Sequence, residues 1–288
     1  MAFSYNAHNV ADVIGANLGV TLASRWNMPK VDRSGLELSP RAVPPEKSEE
    51  GPKESAVRRT YLELRNLIVS GAMAPGSPVI DQRVAEVIGV SRTTVRSALS
   101  QLAAEGYVKS VSLGEHHSRF DVGPLTIDEM REWYSIYGAL EGIAARGAAA
   151  LPGPRRREIG ERVRELAQAH LEAGSGDDPR HDQVQRIDAA LHNTYVQAGG
   201  GPRLLQQYAM IGPHVERYGI FYATALIRKL PSEIYHEHCA IADAIAAGDP
   251  DLAERSAVAN WRNATVRFET VMRRSGERGH WAAEGKGE

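Results

Sequence analysis

Apolar residues recur at helical spacing through most of this chain, and strict alternation interrupts the pattern only once. Val57, Tyr61, Leu64 and Leu67 or Ile68 predict a first helix over residues 53–71, stopped by Gly71. The turn AMAPGSP follows. Residues 79–108, VIDQRVAEVIGVSRTTVRSALSQLAAEGYV, then predict a short helix, a tight turn at Gly89 and a second helix. Ser91 is suited to cap that second helix, because its hydroxyl can accept an otherwise unpaired N–H. Val95, Ala98, Leu99 and Leu102 fall on one face of it; Arg92, Thr93, Arg96 and Ser100 lie on the other. After Gly106, the segments YVKSV and SRFDV alternate around Gly114 as a small hairpin.

From Thr126, which can form a capping box with Glu129, helices dominate to about residue 274. Breakers stand at Leu151–Pro154, Gly174–Pro179, Gly199–Pro202, Gly212–Pro213, Leu230–Pro231 and Gly248–Pro250. They divide this region into six or seven helices with no strands, and stripes such as Ile234, Ile241 and Ile245 face a shared core. The ends look different. Pro29, Pro40, Pro44, Pro45 and Pro52, with the charged run EKSEEGPKE, mark residues 1–52 as an extension or linker. Its apolar patch from Val10 to Val20 has no evident partner, and Met28 offers a second candidate start. Residues 276–288 are expected to be a disordered tail. The implied fold class is mainly α: an N-terminal winged helix–turn–helix over 53–124, then an all-helical bundle over 125–275.

Composition changes this picture in a few places. With 288 residues the chain has room for two domains, and with 42% apolar but 6% aromatic residues their cores should rest on Leu, Ile, Val and Ala. No run approaches the ~20 apolar residues needed to span a bilayer, and the N-terminus lacks a secretory signal. The single cysteine, Cys239, excludes an intramolecular disulfide and suits a reducing cytoplasm. Its expected role is a small buried apolar residue. A net charge of −2 does not advertise nucleic acid, and residues 55–123 carry eight Lys and Arg against six Asp and Glu. DNA affinity must therefore rest on placement more than on total charge. The placement is favourable: guanidinium groups reach phosphates or guanine edges, Thr reaches either, and a helix N-terminus favours phosphate.

The segment IVSGAMAPGSPVIDQRVAEVIGVSRTTVRSALSQLAAEGYV resembles the GntR family of bacterial transcription regulators. The shared pattern is a helix ending in Ser-Gly, then Pro-Gly, then Gly-Val-Ser-Arg-Thr-x-Val-Arg, then Ala-Leu and Glu-Gly. The helical second half resembles the effector domain of the FadR-like branch, the FCD domain. That likeness rests on Leu140-Glu141, Asp188-Ala-Ala-Leu-His192, Glu237-His238-Cys-Ala-Ile241 and Asp243-Ala-Ile-Ala-Ala-Gly-Asp249. The resemblance implies that Arg92, Thr93, Thr94 and Arg96 meet DNA, with Gly114 letting the wing approach the minor groove. Relatives often carry an Arg on the preceding helix where this chain has Gln82, with Arg83 beside it, a departure from the family pattern.

Asp188 and His192 are four apart and share an inward face with Ile187, Leu191 and Tyr195. His238 lies on the side of its helix that carries Ile234, Ile241 and Ile245. A buried carboxylate near two imidazoles is costly unless paired or bound to a cation, and such donors suit zinc, nickel, manganese or iron. The resemblance adds a pattern. Many FCD domains hold a divalent metal through an Asp, a His four residues later, a His on a later helix and a final His 22 residues beyond. Here that last position is Asn260, a weak neutral donor, which implies lower zinc affinity or a shift towards harder ions. Relatives often place an Arg four residues before the residue matching Glu141, where it can pair with a carboxylate ligand; here that position is Tyr137. Arg217 and Arg228 are the candidate replacements, and Tyr195 completes the expected effector surroundings. Three readings stay open: a zinc, nickel or manganese centre, a metal-free pocket on the same residues, or an ion pair beside a core histidine. His214 and His236 are expected outside the ligand set, and Arg155–Arg157 is expected to be a solvated helix face.

Together these observations predict a cytoplasmic DNA-binding regulator, a repressor by the commonest arrangement in such families. It would act as a homodimer on a two-fold-related double-stranded operator and sense a small carboxylate-bearing effector, away from any membrane. One rival is an architectural DNA-binding dimer without an effector. The other is a metal-dependent enzyme, for which no general base or oxyanion arrangement is readable beside the histidines.

Overall fold

The computed structural model describes residues 55–114, 118–175, 181–227 and 231–279. The expected linker at 1–52, Arg228 and residues 280–288 lie outside the described residues. By their contacts the described residues fall into two units. One runs to Ile68 and resumes over Ser77–Val122; the other takes Val69–Gly76 and everything from Gly123.

In the first unit α1 (Ala56–Val69) buries Tyr61, Leu64, Leu67 and Ile68 along one stripe. β1 (Pro78–Val79) leads into α2 (Asp81–Ile88), which ends at Gly89 with φ 75° and a backbone bond back to Ala85. Glycine takes that left-handed cap without the penalty a Cβ brings, and so turns the chain sharply into the next helix. α3 (Arg92–Ala104) is capped by Ser91, whose hydroxyl accepts the Thr94 N–H at 3.1 Å. Val95, Ala98, Leu99 and Leu102 are fully buried, so the helix packs by one face and leaves its arginine-bearing side outward. β2 (Val108–Ser112) and β3 (Ser118–Val122) pair antiparallel, with Lys109 opposite Asp121 and Ser110 opposite Phe120. β1 adds a third strand on β3, giving the order β1-β3-β2. The sequence did not foretell it, because two residues are too few to alternate. Its leading proline lacks an N–H, which suits a sheet edge.

The second unit holds α4 (Ile127–Ala149), α5 (Gly153–Gly174), α6 (His181–Gly199), α7 (Pro202–Ile227), α8 (Pro231–Ala247) and α9 (Pro250–Ser275). Among the described residues this is an all-helical bundle of six. One expected breaker fails: α7 runs through Gly212–Pro213 with the proline inside it. An interior proline costs about 3 kcal/mol. Tyr208 on one side of it, with Val215, Tyr218 and Tyr222 on the other, are all buried, and aromatic burial of that extent outweighs the loss. The expected tail also needs correction at its start. Leu125 and Arg278 exchange backbone hydrogen bonds of 2.8 and 3.1 Å, and the Glu277 carboxylate accepts the Ile127 N–H at 2.7 Å. Residues 276–279 are thus built into the unit.

Two contacts fix the site's frame. α4 and α6 meet backbone to backbone, where a Cβ on Gly199 would lie 2.0 Å from the Ala144 carbonyl oxygen. α5 packs on both α6 and α8. Among the described residues no helix is long and apolar enough to cross a membrane.

Candidate effector site and DNA-reading face

Asp188 projects from α6 among three imidazoles. His192 Nε2 lies 3.8 Å from Asp188 Oδ1, His238 Nε2 on α8 lies 3.6 Å from it, and His170 Nε2 on α5 also lies 3.6 Å from it. The three histidine side chains are almost fully buried, whereas the Asp188 side chain is 42% exposed. The carboxylate therefore faces an opening in an otherwise dry part of the bundle. Ligand atoms of Asp188, His192 and His238 all lie within 4.8 Å of one another.

Behind His192 stands Glu141 of α4, completely buried. His192 Nδ1 donates to it at 2.6 Å, the Tyr208 hydroxyl at 3.0 Å, and the Tyr195 hydroxyl through a short bond. A carboxylate placed so fixes the proton of His192 on Nδ1 and turns Nε2 towards Asp188, the arrangement in which a histidine is held for a metal. Tyr137 stacks on Tyr208 with ring centroids 4.3 Å apart and meets Trp261 edge-on.

The charges follow from these neighbours. Burial works to raise the Asp188 carboxyl, but His192, then His170 and His238, outweigh it and hold it below the usual carboxylate range. Burial pulls His192 down, yet Glu141 and then Asp188 carry it up to about 9. Burial drives His238 down to about 3, with His192 and His170 adding to the fall and Asp188 opposing it. His170 is lowered by burial against the pull of Asp188. Two neutral imidazoles, one charged imidazole and one carboxylate share the opening. Neutral imidazoles and an ionised carboxylate are the donor forms a divalent ion takes. His238, His170 and Asp188 already hold them, and His192 reaches its own by giving up the Nε2 proton while Nδ1 stays on Glu141, so the residues fit such a group.

The other expected site residues go elsewhere. The Asn260 amide donates to Glu237 at 3.0 Å, inside a network where Arg267 grips the same carboxylate at 2.7 and 2.9 Å. Arg217 donates to the Gly123 carbonyl at 2.8 Å, and Arg267 is the arginine that acts on Asp188. His214 stacks on Trp133, His236 is exposed and Cys239 is buried. Sequence reasoning passed over His170, although it continues the stripe Ile159, Val163, Leu166 and Ala167 on α5. It also quoted Glu141 only as part of a match, although a charged residue in line with Tyr134, Tyr137 and Ala145 was a signal of its own.

In the first unit, Arg92 and Thr93 are exposed at the start of α3. Arg92 and Arg96 both reach Asp81 of α2, at 3.2 and 3.1 Å, with side chains 62% and 42% exposed. Partial burial works to raise the Asp81 carboxyl, but Arg96 and then Arg92 hold it below its usual value. Arg96 also contacts Ser118 at 3.3 Å and lies over the Phe120 ring. One carboxylate thus ties together two guanidinium groups that still face solvent. Thr94 is half-buried beside the cap, Gln82 bonds Glu86, Arg83 is exposed, and Gly114 turns the hairpin with φ 130°.

Comparison with known proteins matches residues 56–113 to "Bacterial regulatory proteins, gntR family" and residues 132–263 to the FCD domain. The chain is 31% identical over 189 residues to a probable D-xylose utilization operon transcriptional repressor of Paenarthrobacter nicotinovorans, covering 66% of this chain and 78% of that one. It is 26% identical to an HTH-type transcriptional regulator from an unstable DNA locus of Streptomyces ambofaciens, covering 68% and 78%. Among solved structures, E. coli McbR/YncC aligns with a TM-score of 0.54 at 19% identity, over 75% of this chain and all but 1% of its own (99% covered). A putative GntR regulator from Rhodococcus sp. RHA1 aligns with a TM-score of 0.55 at 18% identity, over 75% and 99%.

Proposed function

The chain belongs to the GntR family of bacterial regulatory proteins and carries an FCD domain, and from that premise we propose that it is a cytoplasmic repressor which senses a small carboxylate at a divalent ion. The family consists of DNA-binding transcriptional regulators, not enzymes. The observation that carries the finer reading is the convergence of buried imidazole nitrogens on one partly exposed carboxylate oxygen. Asp188, His192 and His238 would hold the ion, and a bound ion supplies a Lewis-acidic anchor for an effector carboxylate. Glu141 orients His192, and Tyr137 with Tyr208 walls that side. Effector binding shifts DNA affinity to the extent that it favours one arrangement of the protein over another. A second copy of the chain completes the assembly. Ile136 and Ile143 of α4 and Leu252 and Val266 of α9 are exposed large apolar side chains, of the kind that mark a pairing surface.

The test uses purified full chain, stripped with EDTA and reloaded with zinc, nickel or manganese, on an operator selected from random DNA. Retained or reloaded metal, with small carboxylates weakening DNA binding only in the loaded protein, is the expected result. D-xylose, suggested by the relative's name, is the comparison ligand. Equal release from stripped protein would make the pocket metal-free, and no response to any compound would favour the architectural reading.

At the other unit, Arg92 and Arg96 are proposed to read DNA with Thr93 and Thr94, while Gln82, Arg83 and Gly114 flank the groove. Arg92→Ala and Arg96→Ala are each expected to weaken operator binding by about 1–3 kcal/mol if they contact bases. A uniform loss on operator and random DNA, with a shallower salt dependence, would assign them to phosphates instead.

A further inference from the structure

Resting on the metal reading above, we infer that His170 is a fourth protein ligand of the same ion, making the centre three imidazoles and one carboxylate from α5, α6 and α8. His170 is 5% exposed, and its Nε2 is as near Asp188 Oδ1 as that of His238, at 3.6 Å. All three imidazole–carboxylate gaps, 3.6 to 3.8 Å, are too long for hydrogen bonds. Adjacent atoms that bind one ion at about 2.0–2.2 Å each sit roughly 3–3.5 Å apart. The three imidazole–carboxylate gaps therefore need to close only slightly around an ion, and the larger movement is that of the imidazoles towards one another.

Among the described residues the His170 ring makes no hydrogen bond that would hold it in place. Its Nδ1 is buried with no hydrogen-bond partner, and a buried polar atom left so costs about 1–3 kcal/mol. The His238 Nδ1 is left in the same way, so in both rings Nε2, the nitrogen facing Asp188, is the one with a charged neighbour. His170 also stands edge-on to His238, ring centroids 5.4 Å apart, as His192 does from the other side at 5.3 Å. It lies outside the tightest group of three, so its ring has the furthest to move. Asn260, by contrast, spends its amide on Glu237. Three nitrogen donors with one carboxylate favour zinc or nickel over magnesium or manganese.

The experiment titrates the EDTA-stripped full chain with zinc, nickel and manganese, for wild type, His170→Ala, His170→Gln and the exposed control His236→Ala. X-ray absorption on the zinc-loaded samples counts the bound imidazoles. Both His170 variants are expected to bind zinc at least about tenfold more weakly and to show one imidazole fewer. DNA affinity of their stripped forms should be unchanged, and His236→Ala should match wild type. Should His170→Ala fail to fold, His170→Gln carries the same measurements. Unchanged affinity and imidazole count in the variants overturns the inference while the three-residue centre stands. A preference for manganese over zinc and nickel in wild type also overturns it. Wild-type protein that takes up none of these ions overturns both readings together.

Discussion

Replacing Glu141 by alanine is expected to destabilise the helical unit by about 3–5 kcal/mol, the usual cost of leaving a buried charge partner alone. His192, Tyr195 and Tyr208 all donate to this one carboxylate, in a pocket with no exposure. Removal strands three polar groups at once. At roughly 2–4 °C per kcal/mol for a unit of this size, the loss reads as a melting point lower by about 6–20 °C. A change smaller than about 2 °C would mean that the network is decorative. The pH dependence of metal-free protein gives an independent check. His192 is raised from 6.5 to about 9 in the fold, so its contribution is full below pH 6.5 and is lost as pH climbs through 9. His170 and His238 are depressed, so they cost stability as pH falls below 6.5. Stability of the stripped protein should peak near neutral pH, and Glu141→Ala should flatten the alkaline side.

The sequence made the architecture legible where local rules are strong. Ser91 and Gly89 announce the cap and the turn between α2 and α3, and the structure places both as those residue types demand. Asp188, His192 and His238 were recoverable because inward faces at helical spacing carry chemistry that a core ordinarily lacks. What failed depends on partners distant in sequence. β1 exists only because β3 is beside it. Pro213 is tolerated only because aromatic burial surrounds it, and residues 276–279 are ordered by Leu125 and Ile127. His170 illustrates the same limit within the site. Its stripe was readable on α5, but its meaning comes from Asp188, which α6 brings across. Asn260 shows the converse: a position singled out by spacing turns its amide to Glu237, on the helix that carries His238.

Asp188→Ala should have the largest effect on the sensing half, at a smaller cost to the fold than Glu141→Ala, because Glu141 does more than Asp188 to raise His192. The carboxylate is the one group that all three imidazoles face, across gaps of 3.6 to 3.8 Å that are too long for hydrogen bonds, so alanine breaks none between them. Metal affinity should fall by more than the roughly 10–100-fold that loss of a supporting partner costs. Ion at a hundred times its Kd stabilises a protein by about 2.7 kcal/mol. Zinc or nickel should therefore raise the melting point of wild type by roughly 5–11 °C and leave the variant unmoved. DNA binding by the stripped variant should match that of stripped wild type, because the reading face lies in the other unit on α3. Together these outcomes separate a sensor from an ion pair. If Asp188 merely balanced His192, alanine would lower stability with or without metal, and the metal-induced shift would be absent from wild type as well.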